Sequence, residues 1–271
     1  VNFLKKNKAN KIYTWDDYSV RSNLKIKNTF KKKLNLVDYI VVSPGINIKK
    51  STFRTLLYKN KKKIITDLDL FFLKNNVKNS ILITGTNGKS TTCSLIHHIL
   101  KKNKIKNKLA GNIGKPILDL KYISNEIYVI EASSFQLEYS QFIKPYCAAI
   151  LNISKDHLEW HGTKKNYIRS KFKIFNNQTK KDIAFLNNLN LKEIYKKNNF
   201  LGKLEFIKNN PIKLKDIKNK YLKLEANLDN IKFAYHILKY FNINKNLFLR
   251  SLKSFTGLSH RHEIFFKLGN C

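Results

Sequence analysis

The apolar positions of this chain fall in short, separated runs. Residues 39–42 (Tyr-Ile-Val-Val), 81–83 (Ile-Leu-Ile), 127–130 (Ile-Tyr-Val-Ile) and 148–152 (Ala-Ala-Ile-Leu-Asn) are too brief for helices and rich in β-branched side chains. Their apolar residues are consecutive, as in strands buried on both faces of a parallel sheet. Residues 62–65 and 182–187 are further strand candidates, and 11–15 (Lys-Ile-Tyr-Thr-Trp) read as a short strand. Between these runs the pattern turns helical at 67–73, 90–101, 164–176 and 226–241. Strand, turn and helix in repeated order predict an α/β fold with a mostly parallel sheet. The alternation divides the chain into a first unit over 1–78, a second over 79–256 and the beginning of another over 257–271, where residues 264–266 form an orphan strand.

The turn after residues 81–83 carries the strongest chemical signal: Thr84-Gly85-Thr86-Asn87-Gly88-Lys89-Ser90-Thr91. A glycine-bearing turn from an apolar strand into a helix aims backbone N–H groups and a helix N-terminus at one point, which suits phosphate oxygens. Lys89 would reach the β/γ-phosphates and the Ser90 hydroxyl would meet Mg²⁺. The match to G-x-x-x-x-G-K-[ST] is imperfect, because the first glycine of that pattern falls on Ile83 and the chain has Gly85 instead. Glu131 closes another strand run. A carboxylate at a strand end beside a phosphate loop suits a hard cation held by few protein oxygens.

Composition changes the picture in two ways. The chain has 53 Lys and Arg against 18 Asp and Glu, a net charge of +35. Two explanations stand: a nucleic-acid binder, or a proteome rich in Lys, Asn and Ile. A binding footprint is clustered, whereas these lysines are spread along the chain, and runs such as Lys31-Lys32-Lys33 and Lys61-Lys62-Lys63 resemble solvated faces. Cys93, Cys147 and Cys271 share no metal-knuckle or redox spacing. No run is long enough to cross a membrane and no signal core opens the chain, so a cytoplasmic location is expected. There is no methionine, even at position 1, so the chain is expected to be a fragment or a processed product.

The loop Thr-Gly-Thr-Asn-Gly-Lys-Ser-Thr resembles that of the Mur ligases and folylpolyglutamate synthetases, and further matches follow in the family's order. Gly111-Asn112-Ile113-Gly114 resembles a loop that touches the muramoyl substrate. Glu131-Ala132-Ser133-Ser134-Phe135-Gln136-Leu137-Glu138 is similar to the signature of the D-glutamate-adding branch. Asn152-Ile153-Ser154-Lys155-Asp156-His157-Leu158 resembles the segment whose histidine binds a second Mg²⁺, with Asp156 as its orienting acceptor and His161 as a weaker candidate. Residues 167–174 resemble the stretch with a carbamylated lysine, here Lys171; without the resemblance Lys171 would be one lysine among many. Asn227 and Asn230, three apart on one helix face, match asparagines that reach the adenine. Residues 255–263 resemble a hinge whose Arg261 approaches the nucleotide. Ser43-Pro44-Gly45 and Asp16 match the uridine-nucleotide end, although the strand and glycine-rich turn expected before them are absent.

The resemblance implies a partial Rossmann-like UDP-substrate domain over 1–78, a central P-loop ATPase-type domain over 79–256 and a stub of a C-terminal amino-acid-binding domain over 257–271. It further implies a monomeric enzyme that uses ATP and two Mg²⁺ ions to join D-glutamate to UDP-N-acetylmuramoyl-L-alanine through an acyl phosphate, with no role for nucleic acid or membrane. Lys89, His157 and Lys171 would be catalytic. Gly85, Thr86, Asn87, Gly88, Ser90, Thr91, Asn227, Asn230 and Arg261 would join Lys89 in holding nucleotide. Asp16, Ser43, Pro44, Gly45, Asn112, Ser133, Ser134 and Gln136 would meet substrate, and Ser90, Glu131, His157 and Lys171 would meet metal. The 271-residue chain alone is expected not to ligate. The alternatives are a non-catalytic nucleotide-binding fragment, or another Mur or folylpolyglutamate-type ligase.

Overall fold

The computed structural model describes residues 2–9, 11–15 and 31–258. Its central feature is a six-stranded sheet, parallel throughout, built from β3 (Ser80–Thr84), β4 (Asn107–Gly111), β5 (Ile127–Glu131), β6 (Cys147–Ile150), β7 (Ile183–Leu186) and β8 (Lys203–Phe206), in the order β4-β5-β3-β6-β7-β8. Alternate side chains of the inner strands enter two different cores. Ile81, Ile83, Val129, Ala149 and Phe185 pack against α4 (Lys89–Lys102), α9 (Glu225–Leu238) and α10 (Lys245–Leu252). Leu82, Tyr128, Ile130, Ala148 and Leu186 pack against α3 (Asp67–Lys74), α5 (Ser134–Tyr139), α7 (Lys164–Phe172) and α8 (Leu189–Lys197). The continuous apolar runs are thus the inner strands of a three-layer sandwich, buried on both faces.

The strand order positions the site. From β3 the chain moves outward to β4, returns to β5 beside β3, and then crosses to β6 on the other side of β3. That reversal opens a crevice at the carboxyl end of β3, the place where ligands meet open α/β sheets. Glu131 at the end of β5 and Asn152 just beyond β6 flank it.

The first unit is smaller. Here α1 (Asn2–Lys6) precedes a two-stranded parallel pair, β1 (Ile40–Val41) with β2 (Ile64–Ile65), linked through α2 (Arg54–Lys59). Residues 11–15, expected as a strand, have no regular structure; Trp15 packs edge-on against Phe53 at 4.9 Å, so ring packing replaces ladder pairing. Asp16, Arg261 and the orphan strand at 264–266 lie outside the described residues. No helix among those described is long and apolar enough to cross a membrane.

A buried carboxylate fixes α3, and the N-cap Thr66 that follows β2, to the segment after α5. Asp69 accepts hydrogen bonds from Thr66 N (2.9 Å) and Thr66 Oγ1 (3.2 Å) on one oxygen, and from Gln141 N (3.0 Å) and Phe142 N (2.7 Å) on the other. Removing a buried acceptor strands its donors at about 1–3 kcal/mol each, so Asp69→Ala is expected to destabilise the chain by at least about 3 kcal/mol. Urea unfolding followed by circular dichroism measures this, and a loss under about 1 kcal/mol would contradict it.

Candidate active site

The phosphate-type loop is shaped by two glycines. Gly88, the N-cap of α4, has φ +83°, and a Cβ there would lie 2.1 Å from Asn230 Oδ1, so a side chain is excluded by both strain and space. Gly85 sits close against Leu151 and Asn152. Asn152 locks the loop from outside: its Oδ1 accepts from Asn87 N at 2.9 Å, its Nδ2 donates to Asn87 O at 3.1 Å, and its carbonyl accepts from Thr86 N at 2.9 Å. Asn230 Oδ1 accepts from Thr92 Oγ1 at 3.3 Å, while its Nδ2 donates to Asn227 Oδ1 at 3.3 Å. Asn230 therefore sits against the loop at Gly88, while Asn227 stands one step behind it, its Nδ2 donating to Tyr221 O at 2.9 Å; both are largely buried.

Two lysine ammonium groups converge on this loop. Lys89 Nζ donates to Gly85 O (3.0 Å) and Thr86 O (2.8 Å). Lys171 Nζ, from α7, donates to the same Gly85 O at 2.8 Å and to Thr84 Oγ1 at 3.4 Å. Lys171 is 1% exposed and packs its ammonium over the Tyr167 ring at 4.7 Å. Burial, with the Lys89 charge second, pulls its pKa down to about 7. Tyr167 also meets Thr86 Oγ1 through its hydroxyl at 3.1 Å, so α7 braces the loop at two points.

Glu131 is 1% exposed. Its Oε1 accepts from Asn112 Nδ2 at 2.9 Å, while its Oε2 is buried without a hydrogen-bond partner among the described residues. A buried carboxylate oxygen without a donor is costly unless a cation meets it. His157, the N-cap of α6 (Leu158–His161), has a left-handed backbone (φ +50°) and a half-exposed ring, with Nε2 3.5 Å from Asp156 and Nδ1 3.8 Å from Glu159. His161 is buried, and its Nε2 lies 3.0 Å from Ser134 Oγ. Burial, with the Lys171 charge second, lowers the His161 pKa to about 4 and keeps the ring neutral at pH 7.

Gly85, Lys89, Asn112, Ser133, Ser134, Phe135, His157, Tyr167 and Lys171 line one pocket of about 130 Å³. The structure thus brings together residues that the sequence spreads over 87 positions, from Gly85 to Lys171. Some expected residues stand apart. Gln136 completes the capping box of α5 with Ser133, and its Nε2 donates to Asp67 at 3.1 and 3.2 Å. Ser43, Pro44 and Gly45 form a surface turn after β1, closed by Ile46 N to Ser43 O at 3.0 Å, and do not line this pocket. Sequence reasoning passed over Asn152 as a loop lock and Tyr167 as a brace. Asn152 carried a usable signal, as the polar residue that directly follows an apolar strand.

These features place a glycine-bearing loop, two lysine ammonium groups and a buried carboxylate with one partnerless oxygen near the switch point of a parallel α/β sheet. The chain matches the Mur ligase middle domain over residues 83–248, more than half its length, and it belongs to the Mur ligase family. It is 36% identical over 255 residues to the UDP-N-acetylmuramoylalanine–D-glutamate ligase of Rickettsia prowazekii (strain Madrid E), covering 86% of this chain and 57% of that protein. It is 35% identical to the enzyme of the same name in Rickettsia bellii (strain RML369-C), covering 96% and 64%. The chain therefore spans a little over half the length of these relatives. Solved structures share the fold. The UDP-N-acetylmuramate:L-alanyl-gamma-D-glutamyl-meso-diaminopimelate ligase of Neisseria meningitides superposes with a TM-score of 0.58 at 13% identity, over 89% of this chain and 90% of that one. The MurF ligase of Thermotoga maritima, solved in complex with ADP, gives 0.54 at 15% identity over 88% and 62%.

Proposed function

We propose that this chain is the nucleotide-handling part of an ADP-forming ligase that adds D-glutamate to UDP-N-acetylmuramoyl-L-alanine in peptidoglycan synthesis. The observation that carries the reading is the convergence of Lys89, His157 and Lys171 on one pocket, with the Asn112–Glu131 pair at its wall. The relatives' names and the Glu131–Glu138 signature favour D-glutamate over other amines. The proposed domain division follows the same reading: residues 1–78 serve the UDP substrate, 79–256 serve ATP, and 257–271 begin the amino-acid-binding part.

The chemistry asked of the protein is alignment and charge control. ATP phosphorylates the substrate carboxylate, releasing ADP; the amine of D-glutamate then attacks the acyl carbon, and phosphate leaves. The N–H groups of the first turn of α4 cradle phosphate oxygens, those of Thr86 and Asn87 being held by Asn152, and Lys89 offsets the phosphate charge. Asn227 and Asn230 serve the nucleotide side, while Asn112, Ser133 and Ser134 present polar groups to the acceptor. Ser90, Glu131, His157 and a carbamylated Lys171 would hold Mg²⁺, two ions in this reading, and the partnerless Glu131 Oε2 fits that role. When bound, Mg²⁺ supplies charge neutralisation on the phosphates.

The test is ADP release with MgATP and UDP-N-acetylmuramoyl-L-alanine by the chain supplemented in trans with the C-terminal part of a relative ligase, since the 271-residue chain alone is expected not to ligate, comparing D-glutamate with L-alanine, L-lysine and meso-diaminopimelate. The reading expects release that depends on D-glutamate. Release driven better by another amine would sink the substrate assignment, and nucleotide binding without release in any combination would favour the non-catalytic alternative.

A further inference from the structure

A second, larger cavity lies away from this pocket and shares no lining residue with it. It measures about 800 Å³ and opens between the segment Tyr58–Ile64 of the first unit and the end of α5 with the turn at Lys173. Sites for small molecules occupy roughly 300–1,000 Å³. Its lining is strongly cationic: Lys59, Lys61, Lys62, Lys63 and Lys173 face a single carboxylate, Glu138. Two of these lysines are committed. Lys63 Nζ donates to Asn35 O at 3.0 Å, and Lys173 Nζ donates to Glu138 O. Glu138 is itself 4.0 Å from Arg169. Lys59, Lys61 and Lys62 have no ion-pair partner among the described residues.

The cavity wall is fixed rather than loose. Gln141 Nε2 donates to the carbonyls of Lys61 and Lys62, 3.3 Å each, and to that of Ile64. Asp69 pins the backbone of Gln141 and Phe142 from behind. The run Lys61-Lys62-Lys63 keeps Lys61 and Lys62 exposed, as a solvated face would, with its backbone held at the rim of this concavity.

We propose that this cavity binds a small phosphoryl anion, of the charge and size class of pyrophosphate, which bridges the first unit and the central sheet. Ammonium groups from one side and the Lys173 region from the other would share its charge, as lysines do when they act as point-charge phosphate binders. Such a ligand neutralises the uncompensated lysines and clamps the two units together. The inference does not depend on the ligase reading.

Inorganic pyrophosphate is titrated calorimetrically into the Lys89→Ala chain at constant ionic strength, so that the nucleotide loop is disabled. One saturable site is expected. In that background the combined Lys59→Gln, Lys61→Gln and Lys62→Gln changes are expected to weaken binding about tenfold or more, since each removes a charge at the mouth. A control with Lys196→Gln, Lys197→Gln and Lys223→Gln removes the same net charge from exposed positions elsewhere, and should shift affinity less than about twofold by the screening of distant surface charge. Pyrophosphate should also raise the thermal midpoint of the Lys89→Ala chain and of the control, but not of the cavity variant. Absence of saturable binding, or equal weakening by both sets, overturns the proposal. ATP titration of the unaltered chain reports on the nucleotide loop separately.

Discussion

Replacing Lys89 with alanine is expected to weaken ATP binding by this chain about 100-fold, roughly 2.7 kcal/mol. The size follows from where the ammonium sits. Its Nζ is held by Gly85 O and Thr86 O beside the N-terminus of α4, whose first-turn N–H groups are the ones free to meet an anion, those of Thr86 and Asn87 being taken by Asn152. A triphosphate there brings several negative charges into a recess of about 130 Å³ lined largely by protein. Truncating one partner of such a pair typically costs 2–5 kcal/mol. The fold should survive: the N-cap of α4 is Gly88, and Gly85 O keeps its bond from Lys171 Nζ. Arginine should not substitute, because its planar fork needs more room than a compact ammonium. Competition against a fluorescent nucleotide, with circular dichroism as the fold control, makes the measurement. Affinity within twofold of the unaltered chain would remove Lys89 from the phosphate site.

The parts of the fold that were legible in the sequence are those whose environment forces one composition. Strands β3, β5, β6 and β7 lie inside the sheet, so both faces demand apolar residues and the runs stand out. The two edge strands were missed for the complementary reason. β4 reads Asn-Lys-Leu-Ala-Gly and β8 reads Lys-Leu-Glu-Phe; each has one neighbour and a wetter face, and the polar residues that protect an edge from pairing also hide it. Helix α5 was read as a motif rather than as a helix, although its Ser133/Gln136 capping box is a local start signal. The candidate site divides in the same way. Gly88 and Lys89 announce themselves through spacing, because a turn into a helix dictates residue types position by position. Lys171 does not: in a chain this rich in lysine, only its arrival beneath Gly85 sets it apart. Gln136 shows the converse, since a residue inside a conspicuous signature spends its amide on Ser133 and Asp67.

Lys171 should control both the pH dependence of stability and, in the proposed ligase, the requirement for carbon dioxide. Its folded pKa is about 7, against an ordinary lysine value of 10.5. Between those values the unfolded chain holds a proton that the native chain has released, so native stability is lowest near and below pH 7 and rises as pH climbs. The slope contributed by one such group is about 2 kcal/mol between roughly pH 7 and pH 9. Lys171→Met keeps the length of the side chain and removes the titration, so the slope should flatten. Urea unfolding across that range reads it directly. The same lowered pKa leaves a large neutral fraction at pH 7, and a neutral amine adds to carbon dioxide, forming an N–C bond and releasing one proton. The resulting carbamate would place an anion where Gly85 O and Thr84 Oγ1 now receive an ammonium. Stripping bicarbonate should therefore lower D-glutamate-dependent ADP release. Lys171→Ala should reduce it to about 1% of the parent rate or less, a rise of about 2.7 kcal/mol in the barrier. Added formate or acetate should restore part of the rate by returning a carboxylate to the space, whereas Lys171→Arg, fixed as a cation, should stay inactive. An unchanged pH slope in Lys171→Met, together with activity indifferent to bicarbonate and to short carboxylates, would leave Lys171 a buried brace for the loop and nothing more.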